Sequence, residues 1–271
     1  MGAVATGCAS PPASSPAPQS PTPSPTPTGD TRPRAPLTGV LVDDPAKLNH
    51  AAVALKVSDV RASHPQVGLN DADIVFVEPN GVAYTRLCAV FHSRMPESAG
   101  PVRSIRPVDV PLLSPMKPVF GNTAAADWVM NYVAANSKNI ENLYYRKVRG
   151  TGSYSMMPGR ITENGVLCHP RVLMKQAKRM KAPPAELYLP FATGEDQAST
   201  AVSGTPATKI VVPWGPGNSF NMSYGYDPKT KRYLRNESWG KHVLLDGKRV
   251  NTDNVLVVRA KWKMDKIFRG G

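Results

Sequence analysis

Ala51-Ala52-Val53-Ala54-Leu55-Lys56-Val57, then Asp73-Ile74-Val75-Phe76-Val77, then Arg86-Leu87-Cys88-Ala89-Val90-Phe91-His92 are three short runs dominated by apolar residues and bounded by polar or turn-forming neighbours. Runs of this length and composition read as strands, and three of them within about forty residues predict a sheet. Gly68 to Ala72 reads as a turn or the start of a helix between the first two. Further along, Thr123 is placed to cap a helix over Ala124 to Ala135, with Asp127 near its positive end and Val129, Met130 and Val133 on one side. Pro170 suits the first turn of a second helix, with Leu173, Ala177 and Met180 on one face and Arg171, Lys175, Lys178 and Arg179 on the other. From Lys209 the texture changes to strand after strand: Lys209 to Pro213, Phe220 to Tyr226, Arg232 to Arg235, His242 to Leu245 and Val255 to Ala260. Turn signals at Asp227-Pro228 and Asp246-Gly247 join them. The expected class is α+β, a layered sheet-and-helix part over 37–181 followed by a largely antiparallel β part over 209–271. Residues 182–208, rich in Ala, Pro, Ser, Thr and Gly, read as a flexible connection.

Ahead of the folded part, Ala9 to Pro36 carries ten prolines and no apolar residue larger than Ala or Pro. Such a tract cannot build a core and reads as a polyproline-like spacer, extending roughly 3 Å per residue where it is stiff. Cys8 stands behind Ala5-Thr6-Gly7, the arrangement of a lipobox at which an exported protein is acylated. Met1 to Gly7 holds neither a charged start nor an apolar run of about 7 to 15 residues, so export requires a signal sequence supplied by a longer upstream reading frame. The expected address is extracytoplasmic, anchored to the membrane by a lipid on Cys8. No apolar stretch in the sequence is long enough to cross a bilayer.

The formal net charge is +13. Between Arg146 and Lys181 nine Lys or Arg face a single acid, Glu163. A positive field of this kind attracts anionic headgroups, phosphate-rich polymers or nucleic acid. No helix-turn-helix, zinc-finger or RNA-binding pattern is present, and no nucleic-acid partner is expected. With Cys8 set aside, only Cys88 and Cys168 remain, which excludes a disulfide-rich scaffold. Their apolar flanks favour burial as small hydrophobes, although one pairing between them stays open.

Gly100-Pro101-Val102-Arg103-Ser104-Ile105-Arg106 sets two arginines three apart beside a Gly-Pro turn, close to Asp109. With Arg86 they form a candidate anion site of Arg86, Arg103, Ser104 and Arg106, because the guanidinium fork suits carboxylate and phosphate. The competing reading pairs these arginines with Asp59, Asp73 or Glu78, tying loop to sheet. Asp73, Glu78 and His92 are weak candidates for acid/base work. Cys88 with His92, and Cys168 with His169, resemble metal or thiol couples only in composition, and neither spacing matches a recurring site. No metal and no cofactor are expected. Ser104 lacks the Gly-x-Ser-x-Gly elbow of a nucleophile.

Pro65-Gln66-Val67-Gly68-Leu69, Ala72-Asp73-Ile74-Val75, Thr85-Arg86, Ala89-Val90-Phe91-His92-Ser93 and Gly100-Pro101-Val102-Arg103-Ser104, in that order, resemble the YerB-like family of bacterial lipoproteins, a domain-of-unknown-function family. Tyr226-Asp227, Tyr233-Leu234-Arg235 and Asn254-Val255-Leu256-Val257 resemble its C-terminal part. The resemblance implies an α+β fold, a lipid anchor outside the cytoplasm and no established activity. Glu78-Pro79-Asn80-Gly81 stands where the family usually carries an acidic Gly-Gly stretch. The family's C-terminal part normally runs beyond Gly271, which implies missing last strands here. The expected function is binding of an anionic envelope polymer or small anion at the arginine site. The alternative is an envelope hydrolase using Asp73, Glu78 and His92 in the same cleft.

Overall fold

The run that opens at Ala51 becomes strand β1 (Val53–Ser58), all six residues of which are buried. The computed structural model describes residues 32–80, 84–214 and 221–260, so the expectations for Cys8 and for the proline-rich tract before Arg32 lie outside the described residues. Successive β1 side chains point to opposite faces. Val53, Leu55 and Val57 join an apolar cluster with Leu87, Val102, Val119 and Leu173; Ala52 and Ala54 join another with Val90, Ile105, Leu113 and Phe120. A strand covered on both faces needs apolar residues throughout rather than in alternation. Lys56 is the exception in this run.

Strands β2 (Ile74–Asn80) and β3 (Tyr84–Phe91) follow as an antiparallel pair, and β3 also runs antiparallel to β1. After helix α1 (Asp109–Leu113) comes β4 (Val119–Gly121), then helix α2 (Asp127–Asn136) and β5 (Glu141–Asn142). β4 lies parallel to β1 and β5 parallel to β4, giving a mixed sheet in the order β2-β3-β1-β4-β5. Val129 and Val133 of α2 are buried as expected, but the cap at Thr123 does not form. Asn122 Oδ1 instead accepts the Ala124 N–H at 2.8 Å, Ala124 takes a φ of 65°, and the helix starts three residues later than predicted.

A two-stranded ribbon of β6 (Tyr154–Met156) and β7 (Val166–Cys168) flanks helix α3 (Thr162–Gly165) and leads into α4 (Pro170–Lys175). Pro170 opens α4 as read from the sequence, yet the helix stops at Lys175 instead of reaching Met180. The backbone N–H groups of Lys178, Arg179 and Met180 all turn to the Glu141 carboxylate, at 2.8, 2.7 and 2.8 Å. Leu173 and Ala177 are still buried.

Residues 182–208 carry helix α5 (Ser199–Ser203) and are fastened along the way. The Tyr188 N–H donates to Pro36 O at 2.8 Å and its ring meets Phe76 edge-on. The Phe191 ring leaves no room for a side chain at Gly39, whose φ is +69°.

The last part is a second, antiparallel sheet. It comprises β8 (Lys209–Val212), β9 (Met222–Asp227), β10 (Arg232–Glu237), β11 (Gly240–Lys241) and β12 (Asn251–Thr252), in the order β11-β10-β9-β8 with β12 also on β10. Two expected strands are absent. His242 to Leu245 forms one arm of a loop bridged at Val243 and Arg249, because β11 and β12 already fill that edge of β10 while β9 fills the other. Val255 to Ala260 joins no ladder, although the outer edge of β8 is open among the described residues, and leaves Leu256 and Val258 exposed. The mixed first sheet and antiparallel second sheet make an α+β fold.

Candidate functional site

Strand register sets the charged side chains in rows. Lys56 stands opposite Cys88, and Cys88 opposite Phe76; Arg86 stands opposite Ser58 on one side and Glu78 on the other. Cys88 and Phe76 belong to the cluster on the α1 side of the sheet, so Lys56, Glu78 and Arg86 point there too.

Lys56 is fully buried, its Nζ 2.7 Å from Glu78 Oε2 and 2.6 Å from Asp109 Oδ1, Asp109 being the first residue of α1. Burial would lower the lysine pKa, but Asp109 and Glu78 outweigh it and hold the ammonium above its ordinary value. Burial pushes the Glu78 carboxyl up to about 7 even with Lys56 beside it. Glu78, Cys88 and Asp109 have donor atoms close enough to surround a metal ion, but the Lys56 ammonium is the cation their carboxylates hold. Burial also pushes the Cys88 thiol well up, away from the thiolate a metal or nucleophile role needs.

Next to this triad lie the arginines singled out in the sequence. Gly100 begins their loop with φ +146°, where a Cβ would meet Val102 N at 2.9 Å and Val166 O at 3.0 Å, so only glycine fits. The Arg103 N–H then docks on Lys56 O at 2.7 Å. Arg103 Nη1 donates to Glu163 O at 2.8 Å, and Arg86 Nη1 donates to Ser104 O at 2.6 Å. Arg106 Nε donates to Asn80 Oδ1 at 2.7 Å while its N–H donates to Asp109 Oδ2 at 2.6 Å. Ser104 thus contributes its carbonyl to the group.

None of the three guanidiniums lies within ion-pair distance of a carboxylate among the described residues. The expected partners are committed elsewhere: Asp59 to Arg235, Glu78 to Lys56, and Asp73 to backbone. Arg86 Nε and Arg103 Nε are buried with no acceptor, and Glu78 Oε1 is buried with no donor. Burial, reinforced by Arg106 and Arg103, pulls the Arg86 pKa down to about 10.

Asp73, Glu78 and His92 are not brought together. Asp73 Oδ2 accepts the N–H groups of His92 and Ser93 at 2.7 Å each, and Oδ1 accepts the Ser93 hydroxyl. His92 is buried with Nε2 at 3.1 Å from the carbonyls of Leu48 and His50, so Nε2 carries the proton and Nδ1 is left without a partner. Burial and His50 keep the ring below its ordinary pKa. Glu78 sits four residues further along β2 than Ile74, at the opposite end of the strand from Asp73, committed to Lys56. Cys88 and Cys168 are free and buried, and His169 holds Ser155 Oγ on Nε2 at 2.9 Å and Glu97 O on Nδ1 at 3.1 Å.

A second buried network joins the two sheets and was not legible in the sequence. Arg235 of β10 forks onto Asp59, Nη1 to Oδ1 at 3.2 Å and Nη2 to Oδ2 at 2.8 Å, and also contacts Glu237. Its Nη1 donates to His242 Nδ1 at 2.7 Å. His242 Nδ1 is therefore unprotonated, and Nε2–H donates to Gln66 Oε1 at 2.6 Å. Burial and Arg235 drive the His242 pKa down to about 2. For Asp59, burial alone would raise the pKa, but the Arg235 guanidinium holds it well below the usual range. Burial pushes Glu237 up to about 8, Arg235 notwithstanding, because Asp59 already supplies the negative charge. His64, Glu237 and His242 could gather round a metal by distance, but an Arg235 guanidinium nitrogen bonds both Glu237 and His242 and takes that place.

Residues 37–182 match the family described as "Protein of unknown function (DUF3048) N-terminal domain", and residues 210–269 match its C-terminal domain. The chain is 26% identical over 238 residues to a Bacillus subtilis (strain 168) protein named "Putative lipoprotein YerB", covering 84% of this chain and 67% of that one. The fold is similar to the crystal structure of the YerB protein from Bacillus subtilis, with a TM-score of 0.65 at 24% identity over 81% of this chain and 72% of the other. A matching two-part domain order, with the N-terminal match alone spanning more than half of the chain, makes this protein a member of the DUF3048 family, whose function is unknown.

Proposed function

We propose that this is an extracytoplasmic protein tethered to the membrane by a lipid on Cys8, and that its globular part holds an anionic cell-envelope ligand at Arg86, Arg103, Ser104 and Arg106. The observation that carries the ligand reading is a trio of guanidiniums with no carboxylate partner among the described residues and two buried Nε groups without an acceptor. Buried donors are normally satisfied, and an unfilled set of donors among clustered positive charges is the complement of an oxyanion. The anchor reading rests on the Ala5-Thr6-Gly7-Cys8 sequence, the proline-rich spacer behind it, and the lipoprotein name of the Bacillus subtilis relative. Among the described residues no helix is long and apolar enough to cross a membrane. The hydrolase alternative loses its cleft, since Asp73 and His92 fasten one end of the sheet and Glu78 is tied to Lys56 at the other.

Two measurements test these readings. Titration of the full chain with inorganic polyphosphate should give saturable binding that Arg103→Ala with Arg106→Ala weakens at least about tenfold, the loss of one or more charge-assisted contacts. Unchanged binding would remove the ligand reading. Metabolic labelling of the full-length gene product with a fatty-acid analogue should mark the wild type and leave Cys8→Ser unmarked; an unlabelled wild type would remove the anchor.

A further inference from the structure

Six charged groups meet around the end of β1, β2 and β3. Lys56, Arg86, Arg103 and Arg106 supply four positive charges; Glu78 and Asp109 are the acids beside them. Both acids are spent on Lys56, at 2.7 and 2.6 Å. With both ionised the group still carries two positive charges in excess, and with Glu78 neutral it carries three. Excess charge of one sign among buried side chains is costly, and a counter-ion of matching valence relieves it better than a singly charged one. Arg86 is only 4% exposed, so water does little to offset the repulsion from Arg106 and Arg103.

The unpartnered atoms carry the same message in directional form. Arg86 Nε and Arg103 Nε are donors with nothing to donate to, and Glu78 Oε1 stands on the strand directly opposite Arg86 with nothing to bind. Because Glu78 pairs with Arg86 across the two strands, an anion held by Arg86 meets Glu78 favourably only if Glu78 is the donor in an O–H···O contact. Burial that pushes Glu78 up to about 7 favours that protonated form. The charged or titratable groups acting on Glu78 are Lys56 of β1, Asp109 of α1, Arg86 across the β2–β3 pair, Arg106 from the following loop, and Cys88 beside Lys56.

Resting on the anion-binding reading above, we propose that the ligand presents a doubly charged tetrahedral oxyanion, a phosphate monoester or free phosphate, in preference to a phosphodiester or a carboxylate. Arg106 and Arg103 lie close enough to Arg86 to act on its charge, and donors from several guanidiniums suit a tetrahedral group with several equivalent oxygens, whereas a carboxylate offers two oxygens in one plane.

Calorimetric titration of the full chain with sulfate, inorganic phosphate, dimethyl phosphate and acetate tests this. Sulfate and phosphate should bind, with dimethyl phosphate and acetate at least about tenfold weaker, the cost of one lost charge-assisted contact. Arg106→Gln, at a half-buried position, should weaken sulfate by a similar factor without changing the melting transition. Sulfate keeps its two charges throughout, so raising the pH from about 6 to about 8 should weaken it as Glu78 loses its proton, and Glu78→Gln should flatten that dependence. Vesicles containing phosphatidic acid, set against phosphatidylglycerol, divide the sources. Binding to the monoester vesicles alone assigns a lipid headgroup; binding to neither, with sulfate retained, assigns a soluble phosphate. Equal affinity for sulfate and dimethyl phosphate would overturn the charge inference and leave the anion site standing. No binding of any of the four anions would overturn both.

Discussion

Replacing Lys56 with methionine is expected to cost about 3–5 kcal/mol, because it strands the Glu78 and Asp109 carboxyls in a buried recess without their shared cation. Methionine fills nearly the same volume, so the loss reports charge rather than cavity. Chemical denaturation monitored by tryptophan fluorescence gives the number. Adding Glu78→Gln and Asp109→Asn to Lys56→Met should recover a large part of it, since a fully neutral set no longer buries an uncompensated charge. A single variant as stable as the wild type, or a triple variant no better than the single one, would refute the account. Glu78 also has a sign of its own. Its folded pKa of about 7 lies above the ordinary glutamate value of 4.5, so it favours folding least above about pH 7, and its share of stability falls as pH rises through that window.

Arg235→Met should be comparably damaging, about 3–5 kcal/mol, since Asp59 is fully buried and the guanidinium is its principal counter-charge. For a unit of this size that corresponds to a melting temperature lowered by on the order of 10 °C. The pH dependence separates the members of the network. Asp59, held below its ordinary value of 3.8, contributes stability that is full above that value and is lost as pH falls below it. His242, at about 2 against an ordinary value of 6.5, also loses stability on acidification, starting near pH 6.5, because the unfolded ring takes up a proton that the folded ring refuses. Glu237, raised to about 8, acts in the opposite sense between its ordinary value of 4.5 and 8. The steepest acid loss therefore lies below about pH 4, where Asp59 and His242 act together. Arg235→Met combined with Asp59→Asn should shallow that limb relative to the wild type. An unchanged slope would mean that the network is not what acid attacks.

The sheet was readable because its central strands are buried on both faces, and a doubly buried strand shows itself as a largely apolar run, as at 51–55 and 87–91. Pro170 announced a helix start for the same local reason, a fixed φ and a missing N–H at a position that needs neither changed. The errors arose where a partner elsewhere in the chain decided the outcome. Glu141 took the N–H groups that would have continued α4, and His242 to Leu245 found both edges of β10 already taken by β11, β12 and β9. Arg103 and Arg106 were singled out by their spacing and Arg86 was added to them. Their surroundings were not, because the lysine that claims Glu78 lies 22 positions from it and 53 from Asp109. Lys56 was visible as a charged residue inside an apolar run, and that misfit was the available signal for a buried ion cluster. Arg235 gave no comparable sign, since it stands in a strand with Arg232, Asn236 and Glu237, where one more charged residue is no misfit.

Asp59 and Arg235 are 176 positions apart. Closing so long a loop is entropically slow, and contacts of this span form late. Until β10 docks, the first sheet carries an acid it can bury only in protonated form or not at all. Docking of the second sheet is therefore the step that licenses the final packing of the first.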